Sequence, residues 1–292
     1  FLKNFQEDFF MLWRSKPSVV VGKHQNALAE INHVFVRENQ IPVARRLSGG
    51  GTVFHDPGNV NFTFIRNSEP GHQVDFRKYT RPVIEFLSVY GVDAKLEGKN
   101  DLKVNGLKIS GNAEHVHRNR VMHHGTLLFD SDLAALKNSL RKDTSAYITR
   151  AVNSNPSSVA NLKQFMPYLG NIDQFRRKME EYFLNLPGNQ TYSLKEEEIK
   201  FIEALSGTKY RTWEWNYAYG PDYQLIKQID CQLVRSQLRI EIKQGIITEC
   251  IFEDSELKKL FSKFTGRKHI VSELAEVIEK ENIKGLSVFS LF

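Results

Sequence analysis

The residues best suited to ligand chemistry form one short stretch, residues 45–52, which reads RRLSGGGT. Three consecutive glycines weaken a strand, but they let a ligand approach backbone N–H groups that can form an anion-binding concavity. Arg45 and Arg46 add charged, forked donors for phosphate or carboxylate, and strand alternation places Arg46 and Ser48 on one face. The same pattern also fits a flexible hairpin turn flanked by surface arginines, because glycine-rich loops often occur without a ligand.

A lysine on a strand is the second candidate. Residues 101–111 read DLKVNGLKISG, in which an Asn-Gly pair between alternating runs is a strong hairpin signal. After that turn, alternation places Lys108 and Ser110 together on the face opposite the core. A lysine fixed on a strand beside a glycine suits a localised cation, although a lone lysine is more often exposed on an edge strand.

Other reaction chemistries find little support in the residues. Four histidines lie between positions 115 and 124, but cysteine or glutamate at metal-ligand spacing is missing there, which disfavours a zinc site. His55 and Asp56 fit either a catalytic pair or a turn with local hydrogen bonds. Cys231 and Cys250 come late in the chain, and the sequence has no Gly-x-Ser-x-Gly or Walker motif. A nucleotide bound here would therefore have to be held by residues other than a Walker motif.

Composition is that of a soluble globular protein, with 41% hydrophobic and 25% charged residues. Two cysteines in 292 residues indicate a reducing compartment and no disulfide framework. The net charge of +6 suits nucleic acid, a membrane surface or an acidic protein, but its basic residues are dispersed, which favours a solvated surface. No apolar run approaches the roughly 20 residues of a membrane span. We therefore expect no nucleic-acid and no membrane partner.

Periodicity predicts the elements that must carry these residues. We expect residues 1–13 to be the end of a helix leading into a strand, and residues 59–65 to be a strand with one buried face. The mixture of helices and hairpin-linked strands predicts an α+β fold. Helices are predicted at residues 26–39, 74–90, 132–141, 171–184, 194–205 and 271–280, and further strands at 18–22, 42–47, 52–55, 102–104, 107–110, 125–129, 238–242 and 246–252.

Four motifs, in order, resemble the lipoate–protein ligase family. They are residues 45–59 (RRLSGGGTVFHDPGN), Asn100-Asp101, residues 108–111 (KISG) and residues 123–128 (HHGTLL). Residues 13–14 and 22–26 also match, and the tail, entered through TWEWN at 212–216, resembles the family's accessory domain. The resemblance implies a large mixed-sheet catalytic domain of the biotin/lipoate ligase type at residues 1–209 and a smaller α+β accessory domain at 210–292. It also implies that some N-terminal structure precedes Phe1.

The implied enzyme is an ATP-dependent lipoate–protein ligase. Lipoate and ATP would give lipoyl-AMP and pyrophosphate, and the lipoyl group would then pass to a carrier lysine. Lys108 is the implied catalytic residue, and Mg²⁺ is expected with ATP, with Asp101 as its candidate ligand. The implied lipoyl-AMP and ATP-binding residues are Arg46, Ser48, Gly49, Gly50, Gly51, Thr52, His55, Asn100, Asp101, Ser110, Gly111, His124, Gly125 and Thr126. Expected partners are lipoyl domains of 2-oxoacid dehydrogenase complexes and the glycine-cleavage carrier protein, in the cytoplasm, or in mitochondria if the source is eukaryotic.

The alternative is a lipoyltransferase that uses preformed lipoyl-AMP or another lipoyl donor without efficient ATP activation. Residues 153–162 read NSNPSSVANL and lack the arginine that familiar ligases carry before Val-x-Asn-Leu. Residues 16–20 and 212–215 resemble the lipoyltransferases of animal mitochondria. Octanoyl-transferases would need a cysteine in the catalytic region, and biotin ligases a Gly-Arg-Gly-Arg-type loop, and both are missing. A non-catalytic binder of lipoyl domains would be favoured by loss of Lys108, which is present.

Overall fold

The computed structural model describes residues 1–69, 71, 74–141, 143–231, 234–252 and 254–292. Contacts divide the chain into two compact units. The first comprises Phe1–Ser18, Leu47–Lys137 and Asn155–Glu198, and the second Val19–Arg46, Asn138–Ser154 and Ile199–Phe292. The predicted domain boundary near residue 209 stays a prediction.

The strands and helices follow one another along the chain as an α+β arrangement. The strands are β1 (Phe9–Trp13), β2 (Ser18–Val21), β3 (Val43–Arg45), β4 (Val53–His55), β5 (Asn59–Asn67), β6 (Lys95–Glu97), β7 (Asp101–Val104), β8 (Leu107–His117), β9 (Arg120–Leu128), β10 (Tyr147–Thr149), β11 (Tyr223–Cys231), β12 (Val234–Lys243) and β13 (Ile246–Ile251). The helices are α1 (Ala27–Glu30), α2 (His33–Glu38), α3 (Phe76–Val89), α4 (Leu133–Ser139), α5 (Ile172–Leu184), α6 (Glu196–Leu205), α7 (Ser255–Phe261) and α8 (Val271–Lys280). None of the helices in these described ranges is long and apolar enough to cross a membrane.

A six-stranded sheet in the order β1-β5-β9-β8-β7-β6 forms the first unit, and neighbouring strands are antiparallel. Helices α3 and α5 contribute buried side chains to the same apolar core as this sheet, including Phe86 and Phe175. The prediction of one buried face for residues 59–65 is wrong. Both faces are buried, because Asn61 and Thr63 are as inaccessible as the apolar residues between them.

The predicted hairpin joins β7 to β8. Asn105 and Gly106 have φ angles of 51° and 76°, the left-handed pair that a tight two-residue hairpin turn requires. Pairing shifts by one residue along this ladder, so that Lys103 lies opposite Lys108 but Leu102 lies opposite Ser110. This bulge makes simple alternation a poor guide to residues 108–110: Ser110 is fully buried, whereas Lys108 keeps partial exposure.

The second unit contains the antiparallel sheet β10-β11-β12-β13 and the parallel pair β2-β3. Strand β11 was not predicted. The predicted helix at 26–39 is two short helices, α1 and α2, capped by the side chains of Asn26 and Asn32. Between them Ile31 bridges to Leu140, and the Asn32 N–H donates to the Ser139 carbonyl, so tertiary pairing interrupts the helix.

Residues 1–8 form turns and not the predicted end of a helix. The carbonyl groups of Gln6 and Glu7 accept hydrogen bonds from the Arg120 guanidinium, and that of Gln6 also accepts one from Asn67. These contacts with strands β9 and β5 hold the segment in a non-helical path.

Candidate active site

The predicted site residues, except Arg46, belong to the first unit, and several of them meet across strands β7, β8 and β9. Asp101 lies opposite Gly111, and the Gly111 N–H points to the Thr126 hydroxyl at 3.4 Å. The Ser48 hydroxyl lies 2.5 Å from Nε2 of His124, which links the start of the glycine stretch to β9. The candidate site is therefore built on three adjacent strands and the loop before β4.

Lys108 is held at a defined position in this sheet. Its Nζ lies 2.8 Å from Oδ1 of Asp101, and the two side chains are 23% and 19% exposed. Its N–H donates to the Ser158 carbonyl, and its own carbonyl accepts from the Ala160 N–H, both at 2.9 Å. Strand β8 lies between β7 and β9. Lys108 therefore lies on an interior strand and is only partly exposed. This excludes the alternative of an exposed lysine on an edge strand.

Two predicted glycines are explained by internal packing. A Cβ at Gly111 would lie 3.1 Å from Cε and 3.2 Å from Nζ of Lys108, so this glycine leaves room for the lysine head group. A Cβ at Gly125 would lie 2.2 Å from Oδ1 of Asn112 and 2.5 Å from Cζ of Phe62. Gly125 is therefore required by the protein's own packing, whether or not a ligand binds beside it.

Gly49 and Gly50 differ in whether the backbone itself requires a glycine. Gly50 has a φ of 90°, which favours glycine whatever surrounds it. A Cβ at Gly49 would meet nothing within 4 Å, and the φ there is not left-handed. Strand β3 ends at Arg45, so alternation does not relate Arg46 to Ser48 as predicted.

Arg45 has a structural role and is not available as a phosphate donor. It is 2% exposed. Its guanidinium donates to carbonyls of two segments of the second unit: those of Gly22, Lys23 and Gln25 at 2.7–3.0 Å, and those of Trp215 and Asn216 at 3.0 Å. The expectation that both arginines serve phosphates is therefore wrong for Arg45.

The TWEWN segment supplies much of this arginine-binding arrangement. The Arg45 N–H donates to Oδ1 of Asn216 at 2.8 Å, and Nε1 of Trp215 donates to the Arg45 carbonyl at 2.8 Å. A Cβ at Gly220 would lie 2.9 Å from the Gln25 carbonyl oxygen and 3.3 Å from Nη2 of Arg45, so a glycine fits there. We name Arg45 with Trp215 and Asn216 the Arg45 clamp.

The charged guanidinium of Arg46 is suited to binding an anion. Its Nη1 donates to the Val20 carbonyl at 3.0 Å. Burial lowers the pKa of Arg46 to about 10, which still leaves the guanidinium charged at neutral pH. Arg46 therefore remains the candidate arginine of the RRLSGGGT stretch.

His55 and Asp56 take structural positions. Oδ1 of Asp56 accepts from the Gly58 N–H at 2.8 Å and its Oδ2 from the Asp132 N–H at 2.6 Å, which favours the turn over a His55–Asp56 catalytic pair. The ring of His55 is buried against the edge of Trp13, with centroids 5.6 Å apart. Among the described residues, no group of three or more histidine, cysteine or acidic side chains could hold a metal ion.

Asn112 was missed by the sequence reasoning. It follows Gly111 on β8, is buried, and lies opposite Gly125. Its backbone and side-chain N–H groups both donate to the Asn100 carbonyl, at 3.0 and 2.9 Å, and its side chain also approaches the Ser110 hydroxyl at 3.3 Å. An asparagine directly after the KISG motif, on the same strand, is the sequence signal that could have identified it.

The fold is that of the lipoate ligases. A solved archaeal structure, a bi-partite lipoate protein ligase and its E2 lipoyl domain from Thermoplasma acidophilum, matches with a TM-score of 0.64 and 26% identity, covering 74% of this chain and 87% of that one. A lipoate-protein ligase A bound with ATP matches with a TM-score of 0.62 and 26% identity, covering 74% and 89%.

Sequence comparison gives the same family. The family model for the lipoyl protein ligase A/B catalytic domain matches residues 1–184. The lipoate-protein ligase LplJ of Bacillus subtilis is 35% identical over 287 residues, covering 96% of this chain and 87% of that protein. The chain therefore belongs to the lipoyl protein ligase A/B family. The predicted resemblance, α+β lipoate-ligase fold and enzyme class, a lipoate–protein ligase, are confirmed.

The Arg45 clamp predicts a large, ligand-independent loss of stability on conservative replacement. Arg45→Lys keeps the charge but loses the forked donors, leaving buried carbonyls unpaired, so the free energy of unfolding should fall by about 2–4 kcal/mol. Urea denaturation measures this change. Arg176→Lys is the matched control, because Arg176 makes a surface pair with Glu180, and it should change stability by less than about 0.5 kcal/mol. Equal effects of the two variants would contradict the clamp.

Proposed function

We propose that the protein joins lipoate to a lysine of a lipoyl carrier domain in two steps at one site, with ATP as the activating substrate. The observation that carries this proposal is the Lys108 ammonium, held 2.8 Å from Asp101 on an interior strand beside Gly111. The names of the similar proteins, a lipoate-protein ligase and a lipoate-protein ligase A bound with ATP, support the substrates.

In the first step a carboxylate oxygen of lipoate attacks the α-phosphorus of ATP. An oxygen–phosphorus bond forms, the bond to the bridging oxygen breaks, and pyrophosphate leaves. Two anions must meet, so their charge has to be neutralised in a site with little water. Lys108, Arg46 and the N–H groups of residues 49–51 are the groups that we assign to this task.

In the second step the ε-amine of the carrier lysine attacks the carbonyl carbon of lipoyl-AMP. An amide bond forms, the carbon–oxygen bond to AMP breaks, and the amine loses a proton. Lys108 would polarise the carbonyl and stabilise the negative charge that develops on its oxygen. Asn100, Ser110 and Thr126, on or beside the same strands, would position the adenylate.

Mg²⁺ fits this site as a companion of ATP. Asp101 is the candidate carboxylate ligand, but it also balances the charge of Lys108. Magnesium sites at phosphates typically use one or two carboxylates together with phosphate oxygens and water, so a single carboxylate suffices. The ion would neutralise phosphate charge, and Asp101 would have to be shared between the ion and Lys108.

The lipoyltransferase alternative gains weight from the Arg45 clamp. With Arg45 bound to carbonyls, Arg46 is the one arginine of that stretch that we assign to phosphates. In residues 153–158, which lack arginine, Ser154 bonds to the carboxylate of Glu30 and to Gln25. Fewer cations would weaken the hold on pyrophosphate, which matters only in the first step.

We propose acidic lipoyl domains as the carriers, those of 2-oxoacid dehydrogenase complexes and the glycine-cleavage carrier protein. The net charge of +6 suits an acidic partner, and the archaeal relative belongs to a lipoylation system described as a bi-partite lipoate protein ligase and its E2 lipoyl domain. Cys231 and Cys250 are buried free thiols, in keeping with a reducing compartment, the cytoplasm or the mitochondrial matrix.

Lys108→Ala should reduce the rate of transfer from supplied lipoyl-AMP by about 100–1,000-fold, because one preorganised donor is lost. Single-turnover lipoylation of a carrier domain measures this rate. Lys103→Ala is the matched control: Lys103 lies opposite Lys108 on β7 and pairs with Glu97. Near-normal transfer by Lys108→Ala, or an equal loss in both variants, would refute the assignment.

Gly49→Ala should weaken lipoyl-AMP binding by about tenfold or more while leaving thermal stability unchanged. A Cβ there meets no protein atom within 4 Å, so only a closely approaching ligand would be displaced. This position is a better test than Gly50, whose φ of 90° makes any side chain strained. Gly207→Ala, also in open space, is the control for calorimetry. Unchanged affinity in Gly49→Ala would leave the loop as an ordinary turn.

Pyrophosphate release with free lipoate and ATP distinguishes the two functions. A signal well above the blank without lipoate, together with transfer to a carrier domain, supports the two-step ligase. No pyrophosphate, together with brisk transfer from supplied lipoyl-AMP, would establish a dedicated lipoyltransferase instead.

A further inference from the structure

A buried hydrogen-bonded chain runs from the core of the first unit to the candidate site. Nδ1 of His123 lies 2.9 Å from Oε1 of Glu114, and the two side chains are 0% and 3% exposed. Nε2 of His123 lies 3.3 Å from Oδ1 of Asn112. Asn112 in turn contacts Asn100 and Ser110, two of the residues that we place at the adenylate.

The orientation of Asn112 determines where the histidine carries hydrogen. The Asn112 side-chain atom that lies 2.9 Å from the Asn100 carbonyl must be the donor nitrogen, since two oxygens would repel each other. Oδ1 therefore faces His123, and Nε2 of the ring has to donate to it. The space for this carboxamide exists because residue 125 is glycine.

The second ring nitrogen faces a carboxylate that needs a positive partner. Oε2 of Glu114 is buried and has no hydrogen-bond partner, so the charge of this carboxylate is only partly satisfied. A hydrogen on Nδ1 as well as on Nε2 would make the ring a cation and neutralise Glu114. A buried ion pair needs such matched donors to offset desolvation.

Aromatic rings surround His123 and favour the same charge state. Tyr79 and Phe62 stack on the ring with centroid distances of 5.2 and 6.0 Å, and Phe76 meets it edge-on at 5.7 Å. The faces of aromatic rings attract a cation. Glu114 on β8 and Tyr79 on α3 are titratable groups in contact with the ring.

Burial opposes the cation and outweighs the hydrogen bond and charge of Glu114, so the pKa of His123 is lowered from its usual value. The hydrogen-bond geometry nevertheless requires a hydrogen on each ring nitrogen beside an ionised Glu114. With hydrogen on Nε2 alone, the Nδ1 lone pair would face the carboxylate. With hydrogen on Nδ1 alone, the Nε2 lone pair would face the oxygen of Asn112, and the Glu114 charge would stay unbalanced in the core.

We propose that His123 is a positioning residue: its imidazolium, held by Glu114, orients Asn112 and thereby fixes Ser110 and Asn100 at the adenylate. The histidine touches no substrate and acts through Asn112. This inference rests on the proposed function for its consequence in catalysis, but the protonation of His123 can be tested without it.

Nitrogen NMR of the wild-type protein tests the protonation directly. The ¹⁵N shifts of the His123 ring at neutral pH should be those of two protonated nitrogens. Glu114→Gln keeps an acceptor for Nδ1 but removes the charge, so one of the two ring nitrogens should lose its proton in that variant. A wild-type ring with only one protonated nitrogen, whichever nitrogen it is, would overturn the proposal whatever the activity.

A double-mutant cycle tests the positioning role. Glu114→Gln and Asn112→Ala should each lower the single-turnover transfer rate from lipoyl-AMP by about tenfold, within the coupling range of contacting residues. Glu114→Gln should have little further effect, within about twofold, when Asn112 is already alanine, because the same contact is already lost. Independent multiplication of the two losses would mean a merely structural role and overturn the proposal.

Tyr223→Phe provides the control for general destabilisation. Tyr223 makes a buried hydrogen bond of 2.6 Å with Nδ1 of His269 in the second unit. Its loss should lower thermal stability but keep the transfer rate within about twofold. If the wild type fails to transfer lipoyl at all, the proposed function is wrong, and the NMR result still decides the state of His123.

Discussion

The candidate site depends on holding one ammonium group charged and stationary in the sheet of the first unit. Most of the Lys108 side chain is withdrawn from solvent, so its charge needs a partner, which Asp101 supplies at 2.8 Å. The partner is in reach because the hairpin at Asn105-Gly106 returns the chain antiparallel, with Asp101 opposite Gly111. A side chain at Gly111 would crowd the ammonium. The turn, the strand register and Gly111 therefore all help to position the Lys108 ammonium.

A different constraint governs the two arginines that precede the glycine stretch. They are adjacent in sequence, and the side chain of Arg45 is the less exposed of the two. Arg45 uses its donors on backbone carbonyls and ties residues 22–25 to residues 215–216. Carbonyl oxygens that would otherwise be unpaired in the interior are satisfied in this way, and the cost of desolvating the guanidinium is offset. Arg46 is left as the candidate for ligand charge. A motif that resembles a phosphate site thus combines one structural and one candidate functional arginine.

Secondary structure could be predicted from the sequence where the local preference of the residues and their tertiary packing favour the same element. The Asn-Gly hairpin, the last four residues of strand β9 and helices α3, α5 and α8 follow from turn residues and periodicity, and the four motifs identify the family. The break at Ile31 could not be predicted, because it arises from pairing with Leu140, more than a hundred residues away. The polar face of β5 was assigned to solvent, although Asn61 and Thr63 on that face are buried.

The remaining differences at the site come from contacts between distant segments. The one-residue bulge in the β7–β8 ladder changes which of Lys108, Ile109 and Ser110 share a face, and no local signal marks it. The Arg45 clamp and the His123–Asn112 contact join residues far apart in sequence. Motif resemblance selected these stretches without separating residues that contact ligand from residues that support them.

The central claim is that Lys108 exchanges its contact with Asp101 for one with the acyl-adenylate. A crystal structure of the protein with bound lipoyl-AMP tests this most directly. We predict Nζ of Lys108 within about 3.2 Å of an adenylate oxygen, with backbone N–H groups of residues 49–51 facing the ligand. A complex in which lipoyl-AMP is bound and Lys108 remains on Asp101, beyond hydrogen-bonding distance of every ligand oxygen, would contradict the account.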